Sequence, residues 1–345
     1  EPNMITLCLL LAQTALPPLP APQSIPKPAP KTNQPYQPQA LVPGGVVIPL
    51  WPPDSPMLNA AKLSEPEVYT MSATVPGRVA SIVGIHNPSI EFHPVEKGLN
   101  TGAVVILVPG GGHNTLNVGN VGADLVSWLY NYGVNTVILR NRLRRDGYEP
   151  HVDAVNDALQ AIRLVRGYAK QWSLDPAKIG MMGFSAGAEL ATAASVRYPA
   201  FDAKFPGGPS SRPDFAGIIY PGPSPYAAPR PNIKQLPAPP VPNDVPPSFT
   251  ASAGPGDQVH AVWAVEYYQT MLKLEVPNIE MHLYGRGTHG GAANDRGGMP
   301  FGTWQHRFID WFRDLGFLEK PGVETRAARD VAAWSAKRAQ GDNKK

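Results

Sequence analysis

The chain carries one cysteine, Cys8, among 345 residues. A lone thiol cannot close an intrachain disulfide and cannot build a cysteine-based zinc site. Charge is also sparse: 17% of residues are Asp, Glu, Lys or Arg, and the formal net charge is only +3. A balance so mild and so dispersed leaves no electrostatic footprint for nucleic acid. No stretch reaches the ~18–20 apolar residues that a membrane-spanning helix requires. No internal repeat is visible. What the chain has in quantity is proline and glycine, 41 and 33 residues, and their uneven placement divides it into regions.

Residues 4–12 have the length and apolarity of a signal-peptide core, and the small residues Thr14 and Ala15 follow. No basic segment precedes them and no clean cleavage site follows, so a degraded or truncated export signal is the expectation, with a secreted or periplasmic location. Residues 16–44 alternate Pro with Ala, Gln and Lys. Such a segment lacks the apolar surface to fold alone and is expected to be an extended linker. The expected organisation is a signal-like segment and linker over 1–44, a catalytic domain over 45–318, and a basic tail over 319–345. The tail has helical spacing at Ala327, Val331, Ala332 and Trp334, which fits either a docked amphipathic helix or a free arm.

Apolar runs bounded by turn residues predict strands at 104–108, 136–139, 179–184, 215–220, 248–253 and 280–284. Three earlier runs, at 68–71, 79–85 and 89–92, read as antiparallel edge strands. Between the strands, residues such as Val152, Val155, Leu159, Ile162 and Val165 recur at helical spacing. Alternation of this kind predicts an α/β fold, a mostly parallel sheet with helices on both faces. The stretch 221–247 is proline-rich and poor in helix formers, and a connection this long in a compact domain predicts a functional loop over the pocket.

Chemistry concentrates where glycine follows a strand. Gly183-Phe184-Ser185-Ala186-Gly187 lies between the strand 179–184 and a helix-forming run. Strand, tight turn and helix form the setting of a nucleophile elbow, which lifts a serine hydroxyl above the sheet. Upstream, the strand 104–108 runs into Pro109-Gly110-Gly111-Gly112-His113. Consecutive glycines allow backbone to come close to a ligand, and backbone N–H groups after an early strand can bind an oxyanion. Gly111, Gly112 and Ala186 are the expected donors. The base and its orienting acid are expected after the serine, in the order Ser, Asp, His. Asp257 and His289 each follow a predicted strand, at the sheet edge where ligands bind in open α/β sheets. His282 lies inside a strand, His260 opens the next helix, His306 lies on the last helix, and Asp244 precedes its strand, so these are weaker candidates. Ser185, Asp257 and His289 are therefore the expected catalytic residues, with His113 and Tyr220 as expected substrate contacts beside them.

These motifs resemble the α/β-hydrolase fold of esterases and lipases, most nearly the bacterial acetylxylan and feruloyl esterase-like branch. The resemblance spans about residues 45–318. It rests on Leu50-Trp51-Pro52, the glycine loop, Asp157 with the run 161–166, Asp175-Pro176, the elbow, Arg212-Pro213-Asp214-Phe215, Asp257 and Gly287-Thr288-His289-Gly290. It implies a serine carboxylesterase for short-chain or aromatic acyl esters, on plant cell-wall carbohydrate, that needs no metal or organic cofactor. A small-molecule ester or acylated carbohydrate is then the expected partner. A peptidase or amidase on the same fold, or a non-catalytic binding module, are the alternatives. The chain departs from those relatives twice. It has His113 where they often carry Tyr, and Ala188-Glu189 where they often carry Gly-His.

Overall fold

The computed structural model describes residues 32–231, 233, 237–290 and 300–342. Its strands are β1 (Val46–Pro49), β2 (Val68–Met71), β3 (Val79–Val83), β4 (Ser89–His93), β5 (Val104–Val108), β6 (Asn135–Arg140), β7 (Ile179–Phe184), β8 (Ala216–Ile219), β9 (Ser248–Ala253) and β10 (Glu280–Tyr284). Its helices are α1 (Asp124–Tyr130), α2 (Val155–Gly167), α3 (Ala186–Lys204), α4 (Gln258–Lys273), α5 (Trp304–Asp314) and α6 (Arg326–Asp342).

Eight strands form one sheet in the order β1-β4-β6-β5-β7-β8-β9-β10. The pairings from β6 to β10 are parallel, while β1 and β4 join antiparallel at one edge. Every residue of β5 is buried because helices cover both faces. Alternation sends Val105 and Leu107 into the core shared with α1 and α5, and Val104, Ile106 and Val108 into the core shared with α2 and α3. This is the α/β-hydrolase architecture. From β5 the chain passes to β6 on one side and later to β7 on the other, so the strand order reverses at β5. A crevice opens at such a switch point, beyond the carboxyl ends of the strands. The glycine loop leaves β5 there, and the elbow leaves β7.

Two residues behind the resemblance meet in the core. The Trp51 indole donates to Asp157 Oδ1 at 2.9 Å, and the Arg142 guanidinium grips the same carboxylate at 2.8–3.2 Å. Both partners of that ion pair are almost fully buried. The Arg142 backbone N–H adds a fourth donor at 3.0 Å, tying the end of β6 to α2.

Several expectations need correction. β2 and β3 do not join the main sheet as edge strands; they form a separate two-stranded sheet. β1 takes the sheet edge instead. The expected linker runs too far: Tyr36, Ala40 and Leu41 are buried, and Leu41 belongs to the main core. Its backbone is held by distant side chains, with Leu41 N–H donating to Glu91 Oε2 at 2.7 Å and Arg140 donating to the Gln39 carbonyl. The rest of that expected linker, with the signal-like segment and Cys8, lies outside the described residues. Val152 is exposed, unlike Val155 to Val165, because it sits in the wider turn Pro150–Ala154 that precedes α2 and shifts the helical face. The tail docks. Trp334 is buried and donates from Nε1 to the Leu274 carbonyl at 3.1 Å, and the buried Lys178 ammonium donates to the carbonyls of Glu319 and Lys320. No helix among the described residues is long and apolar enough to cross a membrane.

Candidate active site

Ser185 stands between β7 and α3 with φ 53° and ψ −122°, a backbone region that costs a non-glycine residue about 1–3 kcal/mol. Surrounding contacts hold it there. Its N–H donates to the Ile219 carbonyl at 3.0 Å, and its carbonyl accepts from Ala188 and Gly222. Gly187 allows α3 to start against β5: a Cβ on it would lie 2.0 Å from the Val108 carbonyl oxygen.

The glycine loop folds back on itself. Asn114 and Thr115 donate to the Gly111 carbonyl, and Asn117 donates to the Gly110 carbonyl. These bonds consume carbonyls and leave amides over. Among the described residues, the N–H groups of Gly111, Gly112 and Ala186 have no acceptor within the chain. Unpaired amides beside a serine hydroxyl are suited to receive a negative oxygen.

The structure brings Ser185, His289 and Asp257 into one line. Ser185 Oγ donates to His289 Nε2 at 2.9 Å, and His289 Nδ1 donates to Asp257 Oδ2 at 2.8 Å. Asp257 is buried, while the His289 side chain is 38% exposed and so faces the crevice. The turn after β9 and the loop after β10 come together at glycine, since a Cβ on Gly256 would fall 1.8 Å from the Gly287 carbonyl oxygen. An imidazole so placed can take a hydroxyl proton while a carboxylate holds its tautomer.

The weaker candidates stand elsewhere. His282 is on β10 and bonds Glu280 at 2.6 Å. Asp244 accepts from Tyr198 and pairs with Arg212. His306 lies on α5.

The two expected substrate contacts differ. His113, in a left-handed conformation at φ 60°, lines a cavity of about 430 Å³ with Gly112, Arg144, His151, Glu189 and Trp263. Pro223 and Ile233 of the proline-rich loop also line it. Tyr220 does not line this cavity. It is buried, with its ring edge-on to His289 at 5.0 Å, so it backs the imidazole. Burial, and then the Asp257 charge, push its phenol pKa up.

Two residues, Glu189 and His260, were not foreseen in a role. His113 and Glu189, the two departures from the resemblance, meet: His113 Nε2 lies 3.0 Å from Glu189 Oε2. The other is His260, whose Nδ1 donates to Asp257 Oδ1 at 2.6 Å and whose ring stacks on His289. The spacing from Asp257 to His260 at a helix start was the available signal, since residues three apart share a face. Asp257, His260 and His289 place three donor atoms within 4.8 Å of one another, close enough to hold a metal ion. Both Nδ1 atoms already donate to the carboxylate, however, so a metal would have to displace those hydrogen bonds.

Residues 92–210 match the family described as BD-FAE. An acetylxylan esterase of Xylanibacter ruminicola is 33% identical over 124 residues, which is 35% of this chain and 23% of that protein. The match thus spans about a quarter of the relative. Among solved structures, an acetyl ester-xyloside bifunctional hydrolase from Caldicellulosiruptor lactoaceticus superposes with a TM-score of 0.61 at 24% identity, over 79% of this chain and 96% of that one. A thermophilic esterase from the planctomycete Thermogutta terrifontis, with propionate bound, gives 0.56 at 19% identity, over 68% and 92%. Likeness at this level carries the fold.

Proposed function

We propose that this α/β-hydrolase is a serine carboxylesterase that cleaves short acyl esters through an acyl-enzyme. The observation that carries the reading is the continuous Ser185–His289–Asp257 hydrogen-bond line beside free backbone amides. His289 accepts the Ser185 proton as Oγ attacks the ester carbonyl. Asp257 holds the imidazole and stabilises the imidazolium. The negative carbonyl oxygen is received by Gly111, Gly112 and Ala186, each such donor contributing about 3 kcal/mol to the transition state. The alcohol leaves with the proton from His289. Water then repeats the sequence and frees the acid.

The substrate reading rests on the cavity wall. His113, Arg144, His151 and Glu189 set polar groups beside the apolar surfaces of Pro223, Ile233 and Trp263, a mixture that suits a sugar alcohol. Acylated plant cell-wall carbohydrate fits this wall, and the similarity to an acetylxylan esterase supports it. The test is a panel of p-nitrophenyl esters from acetate to decanoate, with methyl ferulate, acetylated xylan and a prolyl amide. Acetate to butyrate should be turned over best, with a steep fall beyond octanoate, because His113, Arg144, His151 and Glu189 interrupt the apolar surface that extra methylenes would need. Best activity on decanoate would make the chain a lipase, and best activity on the prolyl amide would make it a peptidase.

A further inference from the structure

We propose that His260 is a positioning residue of the catalytic line: it fixes the second oxygen of Asp257 so that the first points only at His289. This inference rests on the catalytic reading of Ser185, His289 and Asp257. A carboxylate can turn about its terminal bond, a broad two-fold torsion, unless both oxygens are held. Among the described residues, two imidazoles are the only donors to the Asp257 carboxylate, His289 at Oδ2 and His260 at Oδ1. Among the described residues no backbone amide shares the task, so the orientation of Asp257 depends on His260.

His260 is itself well anchored. It sits in the first turn of α4, whose Ala261 and Ala264 are buried against the domain. The Trp263 ring meets it edge-on at 5.2 Å, and the Arg230 guanidinium lies over that indole. On another side its ring stacks on His289, with centroids 3.8 Å apart and planes 26° apart. It therefore limits both the carboxylate and the base.

The electrostatics suit a neutral donor. Asp257 and His289 face His260 directly, and Glu189 reaches it from α3. Burial, and then the neighbouring His289, lower the His260 pKa, while the two carboxylates oppose that shift. A neutral His260 leaves the single negative charge of Asp257 for the imidazolium that forms on His289. A charged His260 would compete for it.

The test separates the donor from the ring. His260→Asn keeps an N–H close to the Nδ1 position and loses the ring; His260→Phe keeps a ring and loses the donor. Measured on p-nitrophenyl acetate, the Phe variant should lose about tenfold or more in kcat with KM little changed. The acid limb of its kcat/KM profile should move to lower pH, because a carboxylate free to turn away from His289 stabilises the imidazolium less. The Asn variant should stay within about threefold of the parent on kcat, with its acid limb close to the parent's. If the Phe variant does not fold, His260→Gln replaces it, since its longer amide misses Asp257. A Phe or Gln variant as fast as the parent, or an Asn variant as slow as they are, overturns the proposal. Full activity in Ser185→Ala would instead overturn the catalytic reading beneath it.

Discussion

The His113–Glu189 contact makes the sharpest quantitative prediction. Glu189 projects from the first turn of α3, one helical turn past Ser185, and reaches the residue that follows the glycine loop. The side chains are 5% and 15% exposed, so water offers little substitute for the bond. A hydrogen bond to a charged group contributes about 1.5–3 kcal/mol. That energy adds to the backbone bonds of the loop in keeping His113 in its left-handed conformation, beside the amides of Gly111 and Gly112. Glu189→Ala should release the loop and lower kcat on p-nitrophenyl acetate by about 10- to 30-fold, the equivalent of roughly 1.4–2 kcal/mol. KM should change less, because the amides act on charge that develops in the transition state. His113→Ala breaks the same bond, so the double variant should be little worse than either single, with a coupling of about 1–2 kcal/mol in the cycle. Gly222→Ala gives an independent approach to the carboxylate, since its Cβ would fall 1.9 Å from Glu189 Oε1. It should also lower kcat. Additive effects of Glu189→Ala and His113→Ala, or a change confined to KM, would refute the reasoning.

Gly111→Ala should be far worse than Gly112→Ala in kcat, because its Cβ would sit 2.1 Å from the Thr115 carbonyl oxygen, whereas Gly112 meets nothing closer than 3.7 Å; steady-state kinetics on the two variants checks this. Asp157→Ala strands the buried Arg142 guanidinium and should destabilise the fold by about 3–5 kcal/mol in urea melts. Burial raises the Glu91 pKa, but His93, Arg140 and the Val42 amide outweigh it and hold the carboxyl below its ordinary value of 4.5. A depressed acid contributes stability that is present above 4.5 and lost as pH falls through its folded value, so Glu91→Gln should flatten the loss of stability on acidification below that point, read by melts across pH.

The parts legible in the sequence are those with local causes. The bounds of β5, β9 and β10 follow from apolar runs ended by glycine or proline, that of β7 from the Gly-x-Ser-x-Gly turn, and the order of Ser185, Asp257 and His289 from the places where β7, β9 and β10 end. What escaped depends on distant partners. The packing of residues 36–42 relies on Glu91 and Arg140, which lie 50 and about 100 residues away in sequence. β1 is a four-residue strand after a proline-rich run, too short to show alternation. The meeting of His113 with Glu189 spans 76 positions, and neither residue type names the other. His260 could be placed at a helix start, but not on the carboxylate, because that depends on how the loops after β9 and β10 meet.

The central claim is that Ser185 is a nucleophile activated by His289. The most direct measurement is covalent capture by a fluorophosphonate, followed by intact mass and peptide mapping. One equivalent should add to Ser185, slow sharply in His289→Ala, and be absent in Ser185→Ala while that variant melts like the parent. Labelling that maps to another residue, or that proceeds at the parent rate without His289, would contradict the account.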